Sequence, residues 1–366
     1  MTTERTPQEL EELGLYDPDA PDADERLAML TLALECNATI DDIRRGIEEG
    51  RLHAVGAERI VLGGTETITL DEAITRSGID REFAFRIWRA LGFVIPEPEM
   101  RVCTDADVGV FEYFALTEAV FGAGPAIALA RTAGNSLARL ADGAISNARS
   151  VLEAPLRSEG GSNIDVARTF AEVAAGVIPP LYPVIEAVHR HHLVDSARRY
   201  SLWGSAPTAE HTTNAVVGFA DVVGSTALGH QLTNVELDAM LATFEERALA
   251  VTARPGSRLV KLIGDEILFV SGDAAEALEI ARRLNEDPDL PPMRTGIASG
   301  EVITRDGDVY GTVVNLAARL VALASPGGVL LDAETARRLG PGATKSLGTR
   351  VAQGFDEPVE VYTPVE

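Results

Sequence analysis

Six polar residues in the C-terminal part of the chain are of types that handle metals and phosphates: Asp221, Lys261, Asp265, Asp308, Asn315 and Arg319. Two carboxylates brought together in a fold repel each other unless cations sit between them. Two metal ions about 3.5–4 Å apart can stabilise both the attacking and the leaving oxygen of an in-line displacement. Asn315 and Arg319 stand four apart and so project from one face of a helix. A guanidinium there suits charge growing on phosphate oxygens. Asp221 is followed by the turn Gly224-Ser225-Thr226, whose backbone amides beside a helix start form an anion cradle. Lys261 precedes Gly264-Asp265 by three positions in a chain whose 32 basic residues include only two lysines, Lys261 and Lys345. Composition alone does not account for that placement.

Each residue also has a plainer reading. An Asp that ends a strand, as Asp221 does, more often caps the next turn than binds metal. Asp265 favours a turn beside Gly264 for conformational reasons. Arg319 reads equally as a surface arginine, whereas Asn315 is a mediocre helix former whose mid-helix position demands a reason.

The elements that must position these groups follow from the hydrophobic pattern. Asn214 to Phe219 is a strand, and a helix follows from about Thr233 to Ala253. Ser257 to Ile263 and Glu266 to Ser271 form a hairpin around Gly264-Asp265. A helix over Ala274 to Asn285 and a strand over Met293 to Ser299, continued by Glu301 to Thr304, come next. A loop through Asp306-Gly-Asp-Val-Tyr-Gly leads into a helix near Thr312, and Val329 to Asp332 closes the core. The order β-α-β-β-α-β predicts a ferredoxin-like sheet with helices on one face. Thr344 to Pro364 reads as a terminal hairpin.

The first two hundred residues have a different texture. Residues 1–26 read as an acidic, partly disordered arm, since the first fifty residues hold 14 Asp/Glu against 4 Lys/Arg. From Leu27 to Tyr200 the periodicity is helical: Ile40 to Arg51, a capped helix from Thr69, then Asp105 to Val120, Pro125 to Leu140, Asn163 to Val177 and Leu181 to Tyr200. A helical bundle over 27–200 follows. Residues 201–213 are small and polar and form the linker to a second domain, 214–366.

The formal charge of −24 argues against a broad nucleic-acid surface. Cys36 and Cys103 form neither a disulfide framework nor a zinc pattern. There is no signal-peptide layout, and the longest small-apolar run, Ala119 to Ala130, is shorter than the roughly 20 residues of a membrane helix. The expectation is a cytoplasmic protein without a membrane anchor.

The region from about Asn214 to Asp332 resembles the catalytic domain of class III adenylate cyclases. The resemblance rests on Phe219-x-Asp221 with Gly-Ser-Thr, on Lys261-x-x-Gly-Asp265, and on Asp308-x-Tyr-Gly-x-x-Val-Asn315-x-Ala-Ala-Arg319. It implies an α+β chain: an all-α helical N-terminal regulatory domain, then a ferredoxin-like βαββαβ cyclase domain. It implies two Mg²⁺ or Mn²⁺ ions per site on Asp221 and Asp265, with the Val222 carbonyl as a further ligand. Lys261 and Asp308 would recognise adenine, with Gly224, Ser225 and Thr226 at the phosphates. Asn315 would orient the ribose, and Arg319 would stabilise the transition state. Because each site in the family lies between two catalytic domains, the resemblance implies a homodimer. The purine edge agrees: adenine offers a donor and an acceptor that aspartate and lysine complement, whereas guanine presents the reverse. ATP is the expected substrate and 3′,5′-cyclic AMP the expected product.

The helical half followed by such a domain resembles actinobacterial cyclases with an autoinhibitory, pH-responsive N-terminal domain. His189, His191 and His192 fit that picture, because histidine changes charge between about pH 5 and 8. A solvated basic helix end is the plainer alternative. The Ala- and Gly-rich stretch Val110 to Val151 admits the idea of a bound lipid chain, with ordinary packing as its rival. Thr69 to Phe93 resembles a MerR-like helix-turn-helix, with Gly78 as the turn and Arg81, Arg86 and Arg89 as a DNA-reading face. The acidic flank and scarcity of lysine count against that use. Diguanylate cyclases share the core, but their signature carries Gly-Gly where Ile263-Gly264 stands here.

Overall fold

The computed structural model describes residues 5–63, 67–202, 212–225, 232–355 and 357–365. The expected linker falls mostly outside these residues, and so does Thr226. By packing, the chain divides into two compact units, Met1–Val188 and His189–Glu366.

The first unit is built from helices: α1 (Pro7–Glu12), α2 (Ala23–Glu35), α3 (Ile40–Glu48), α4 (Leu52–Val61), α5 (Leu70–Ser77), α6 (Arg81–Ala90), α7 (Asp105–Phe121), α8 (Ala123–Ala148), a π-helical stretch over Arg149–Glu153, α9 (Ala154–Ser158) and the start of α10 (Asn163–Leu202). The caps explain several starts. Thr69 Oγ1 accepts from the Glu72 amide at 3.1 Å while the Thr69 amide donates to Glu72 Oε2 at 2.7 Å. Two apolar clusters hold the unit. One joins α1 to α4 through Leu10, Leu30, Ile43 and Val55. The other joins α5 to α8 through Ile74, Phe83, Phe111 and Ala126.

Three differences from the sequence reading have physical causes. The acidic arm is built into the fold over its described part, because Leu10 and Leu15 are buried while the carboxylates face out. A two-stranded antiparallel pair, β1 (Ile68–Thr69) with β2 (Arg101–Cys103), interrupts the helices; elements this short show no alternation to read. The two helices expected over 163–200 are one, with Pro179, Pro180 and Pro183 inside it. Each proline removes a ladder hydrogen bond, yet the helix runs on from Asn163 to Leu202. Among the described residues α10 is also the one helix long and apolar enough to cross a membrane by length and composition. Cys36 and Cys103 are free thiols, and burial, with Asp107 nearby, pushes Cys103 up to about 12.

The second unit is a sheet of β3 (Thr212–Val222), β4 (Ser257–Ile263), β5 (Glu266–Ser271), β6 (Met293–Arg305), β7 (Asp308–Tyr310), β8 (Val329–Asp332), β9 (Thr344–Arg350) and β10 (Val359–Pro364). The strands lie in the order β4-β5-β3-β6-β8-β10-β9, with β7 on β6. The first four, antiparallel throughout, are the ferredoxin-like core. The terminal hairpin extends the sheet beyond β8. Helices α11 (Asn234–Thr252) and α12 (Ala274–Glu286) pack on one face with Val216, Ala220, Ile267 and Phe269. Helix α13 (Thr312–Leu323) packs on the other, with Val217, Phe219, Leu268 and Ala298. The sheet is thus covered on both faces rather than one. Successive side chains of β3 point to opposite faces and the run from Ala215 to Ala220 is apolar and buried throughout, so both faces need covering. The short α14 (Ala333–Leu339) follows β8.

Candidate active site

The ends of β3, β5 and β6 make an acidic corner. Asp221 pairs in register with Glu266 on one side and Arg294 on the other. Strand alternation puts all three on the face that α13 covers. Arg294 donates to Asp221 Oδ2 from Nε at 2.9 Å and from Nη2 at 2.6 Å. Asp265 occupies the β4–β5 turn, entered through Gly264 in the left-handed region at φ 64°. The Val222 amide donates to the Asp265 carbonyl at 3.3 Å, which ties that turn to the end of β3. Burial raises the Asp221 carboxyl; Arg294 opposes the rise, and neighbouring Asp265 adds to it. Glu266 is pushed up to about 7, by burial first and then by the charges of Asp221 and Asp265. Crowded carboxylates of this kind are what a hard divalent cation relieves. Among the described residues no group of three or more His, Cys, Asp or Glu is placed to hold a metal. A pair of aspartates does suffice for Mg²⁺, which commonly uses one or two protein carboxylates and takes the rest from water and phosphate. The residues present therefore fit such an ion.

Beyond the corner, Val223 donates to the Pro292 carbonyl at 2.8 Å and Gly224 turns the chain at φ 75°. Gly224 is exposed and Ser225 half-buried.

A second pair forms between β4 and the β6–β7 hairpin. Lys261 Nζ is ion-paired with Asp308 Oδ2, the lysine side chain 40% and the aspartate 20% exposed. A β-bulge creates the meeting. Leu259 opposes Phe269 and Lys261 opposes Leu268, so Val260 is an extra residue. Without it, Lys261 would share the face of Leu259, which packs toward α11 and α12. With it, Lys261 stands on the face of β7. The hairpin turns through Asp306 (φ 55°) and Gly307 (φ 78°), and the Val309 amide donates to Asp308 Oδ1 at 2.8 Å.

Asn315 and Arg319 lie one turn apart on α13 and are both exposed, while Ala317, Leu320 and Val321 are buried on the sheet. Among the described residues neither side chain is hydrogen-bonded or ion-paired. Within the chain, then, Asp221 meets Asp265 and Lys261 meets Asp308, and no hydrogen bond or ion pair links these two pairs to each other or to α13. Arg294 and Glu266 are the candidate site residues that sequence reasoning missed. Their significance comes from cross-strand register, which leaves no local signature.

His189, His191 and His192 are exposed on α10. The concavity along the α8 end of the Val110–Val151 stretch is formed by Asp142, Ser146, Arg149, Ser150 and Glu153 among others. That lining suits an acyl chain poorly. The helix-turn-helix pair exists as α5 and α6 around Gly78 (φ 70°). Its Arg81 pairs with Asp71 at 2.9 Å and lies 5.0 Å from the Phe85 ring centre.

Known proteins show the same two-part organisation. Residues 6–197 match the family described as adenylate cyclase regulatory domain, and residues 207–354 match the adenylate and guanylate cyclase catalytic domain. The chain belongs to the adenylate cyclase family. An adenylate cyclase of Streptomyces coelicolor is 36% identical over 297 residues, 78% of this chain and 75% of that protein. An uncharacterized protein of Mycobacterium tuberculosis is 31% identical over 365 residues, 96% of this chain and 92% of that one. A pH-sensitive adenylate cyclase of Mycobacterium tuberculosis is 29% identical over 328 residues, 86% of this chain and 80% of that one. The family assignment settles the helix-turn-helix region as part of a regulatory domain and the C-terminal sheet as a cyclase catalytic domain.

Proposed function

We propose that the protein converts ATP to 3′,5′-cyclic AMP and pyrophosphate at two equivalent sites shared between the subunits of a homodimer. The observation that carries this reading is the separation of the site within one chain. The Asp221–Asp265 corner and the Lys261–Asp308 pair are each assembled, but among the described residues no hydrogen bond or ion pair joins them, while Asn315 and Arg319 are exposed. A second copy supplying the complementary half completes the set, as isologous contacts do.

Asp221 and Asp265, with the Val222 carbonyl, would hold two divalent ions, Mg²⁺ or Mn²⁺, which when bound supply charge neutralisation and Lewis-acid polarisation at the attacked phosphate. Arg294 opposes the rise that burial imposes on the Asp221 carboxyl and would stand beside the place where the polyphosphate charge arrives. The amides at Gly224 and Ser225, with Thr226 beyond, would cradle the phosphates. Lys261 and Asp308 would part to meet the adenine edge, lysine donating to N1 and aspartate accepting from N6. Guanine would leave both groups facing like partners, a penalty paid in a half-buried pocket. Asn315 would fix the ribose so that its 3′-oxygen attacks the α-phosphorus in line with the departing pyrophosphate. Arg319, one turn further on, would stabilise the charge on the phosphoryl oxygens at the transition state.

The regulatory domain is read as a restraint on the catalytic domains. The pH-sensitive relative and the exposed histidines of α10 support control by acidification, through charge placed at His189, His191 and His192. Mixed dimers test the catalytic reading. Asp221→Ala and Arg319→Ala should each be inactive alone. Random reassociation of equal amounts should restore about a quarter of wild-type activity, because half the dimers then carry one intact site out of two. No recovery at all, or a cyclic product formed from GTP but not ATP, would sink it.

A further inference from the structure

The hairpin that carries Asp308 is gripped at a second point, three residues before Lys261. Arg258 Nη2 donates to the Gly307 carbonyl at 2.6 Å. That oxygen belongs to the peptide whose nitrogen is Asp308's own, so the bond fixes the backbone from which the carboxylate springs. The bulge at Val260 puts Lys261 on the same face as Arg258. Arg258 opposes Val270 and Lys261 opposes Leu268, so both basic side chains leave β4 on the face of β7. A regular strand would have sent one of them to the opposite face.

Arg258 has a second set of neighbours. The C-terminal end of α10 brings Arg199 and Tyr200 within electrostatic reach of its guanidinium, on which Asp308 also acts. Burial and the Arg199 charge both work against the Arg258 cation; Tyr200 and Asp308 work for it. Arg199 is itself half-buried and donates to Ser196 Oγ at 2.8 Å, which holds its head against the helix. A guanidinium in such a place is sensitive to where the helix end lies. A shift of Arg199 or Tyr200 changes the balance of charges around Arg258 and, through the Gly307 carbonyl, the position of Asp308.

We propose that Arg258 is a positioning residue that couples the end of α10 to the Lys261–Asp308 pair, so that the helix emerging from the regulatory domain sets how well the purine edge is read. This rests on the reading of Lys261 and Asp308 as the base-recognising pair. It adds a residue and a route to that reading.

The test uses the full-length protein. Arg258→Met keeps the stem and removes the donors; Arg258→Lys restores one donor. In Arg258→Met, KM for ATP should rise about tenfold, as expected for the loss of a charge-assisted hydrogen bond. Preference for ATP over GTP should fall, with kcat changing less than KM and the melting temperature kept. Arg258→Lys should return KM most of the way. Arg199→Ala should alter KM in the wild-type background and have no further effect in Arg258→Met, since coupled groups are non-additive. Unchanged KM and base preference in Arg258→Met, or additive effects of the two substitutions, overturn the proposal. Should Arg258→Met melt early, Arg258→Lys decides: a melting temperature like wild type with KM still raised tenfold overturns it, and near-normal KM supports it. A wild-type protein that forms no cyclic nucleotide would overturn the base-reading itself, an outcome distinct from an active wild type with an indifferent Arg258.

Discussion

Gly296, on β6 beneath α13, offers the sharpest test of how the fold places its catalytic face. A Cβ at this position would lie 2.4 Å from the Ala317 carbonyl oxygen, 2.5 Å from the Val321 nitrogen and 2.8 Å from Leu320 Cβ. Two of these are backbone atoms of α13, which cannot rotate away as a side chain would. Ordinary contact begins at 3.4 Å, so Gly296→Ala must lift the helix by about 1 Å (3.4 less 2.4). Overpacking of this size costs about 1–3 kcal/mol. For a domain of this size that lowers the melting temperature by about 2–12 °C. The helix that lifts is the one carrying Asn315 and Arg319, on either side of Ala317. A misplacement of about 1 Å at reacting groups can reduce turnover about 100-fold. Thermal melts and cyclic AMP formation at saturating ATP and Mn²⁺ measure both effects. Gly143→Ala is the control, since that helical glycine has no atom within 4 Å of the added methyl; it should stabilise by about 0.4–1 kcal/mol and leave turnover alone. A Gly296→Ala protein that melts within about 1 °C of wild type with unchanged turnover would refute the placement of α13 on β6.

Two further perturbations address the corner and the proposed base-reading pair. Burial raises Glu266 from 4.5 to about 7 in the folded protein. Its contribution to stability is therefore fully present below about pH 4.5 and is lost as pH rises through about 7. Metal-free Glu266→Gln should show a flatter melting temperature between pH 5 and 8 than wild type; an identical slope would count against the crowded corner. The Lys261–Asp308 pair is partly exposed, so Lys261→Met should change stability by no more than about 1 kcal/mol. The same variant should raise KM for ATP about tenfold or more, because Asp308 loses its partner donor at the purine edge; steady-state kinetics with an unmoved KM would remove Lys261 from base recognition.

The chemistry of the chain is legible without a structure because it resides in residue types at short spacings. An Asp closing an apolar strand, a rare lysine three before Gly264-Asp265, and an asparagine four before an arginine are all local patterns. Helix caps such as Thr69 with Glu72 and the β-α-β-β-α-β order are local too, and they suffice for the ferredoxin-like core. What folding adds is contact between segments far apart in the chain. Arg294 meets Asp221 across 73 residues, Lys261 meets Asp308 across 47 and Arg258 meets Gly307 across 49. Cross-strand register sets the first of these. The second depends on a single bulged residue, Val260, and no periodicity predicts it because alternation on either side of a bulge looks regular. The same limit explains the α10 prolines and the second covered face of the sheet. A proline marks a helix start or an interruption with one and the same local geometry, and an apolar run on β3 does not say which helix will cover it. Local spacing thus picks out the candidate groups, and long-range packing decides which of them face one another.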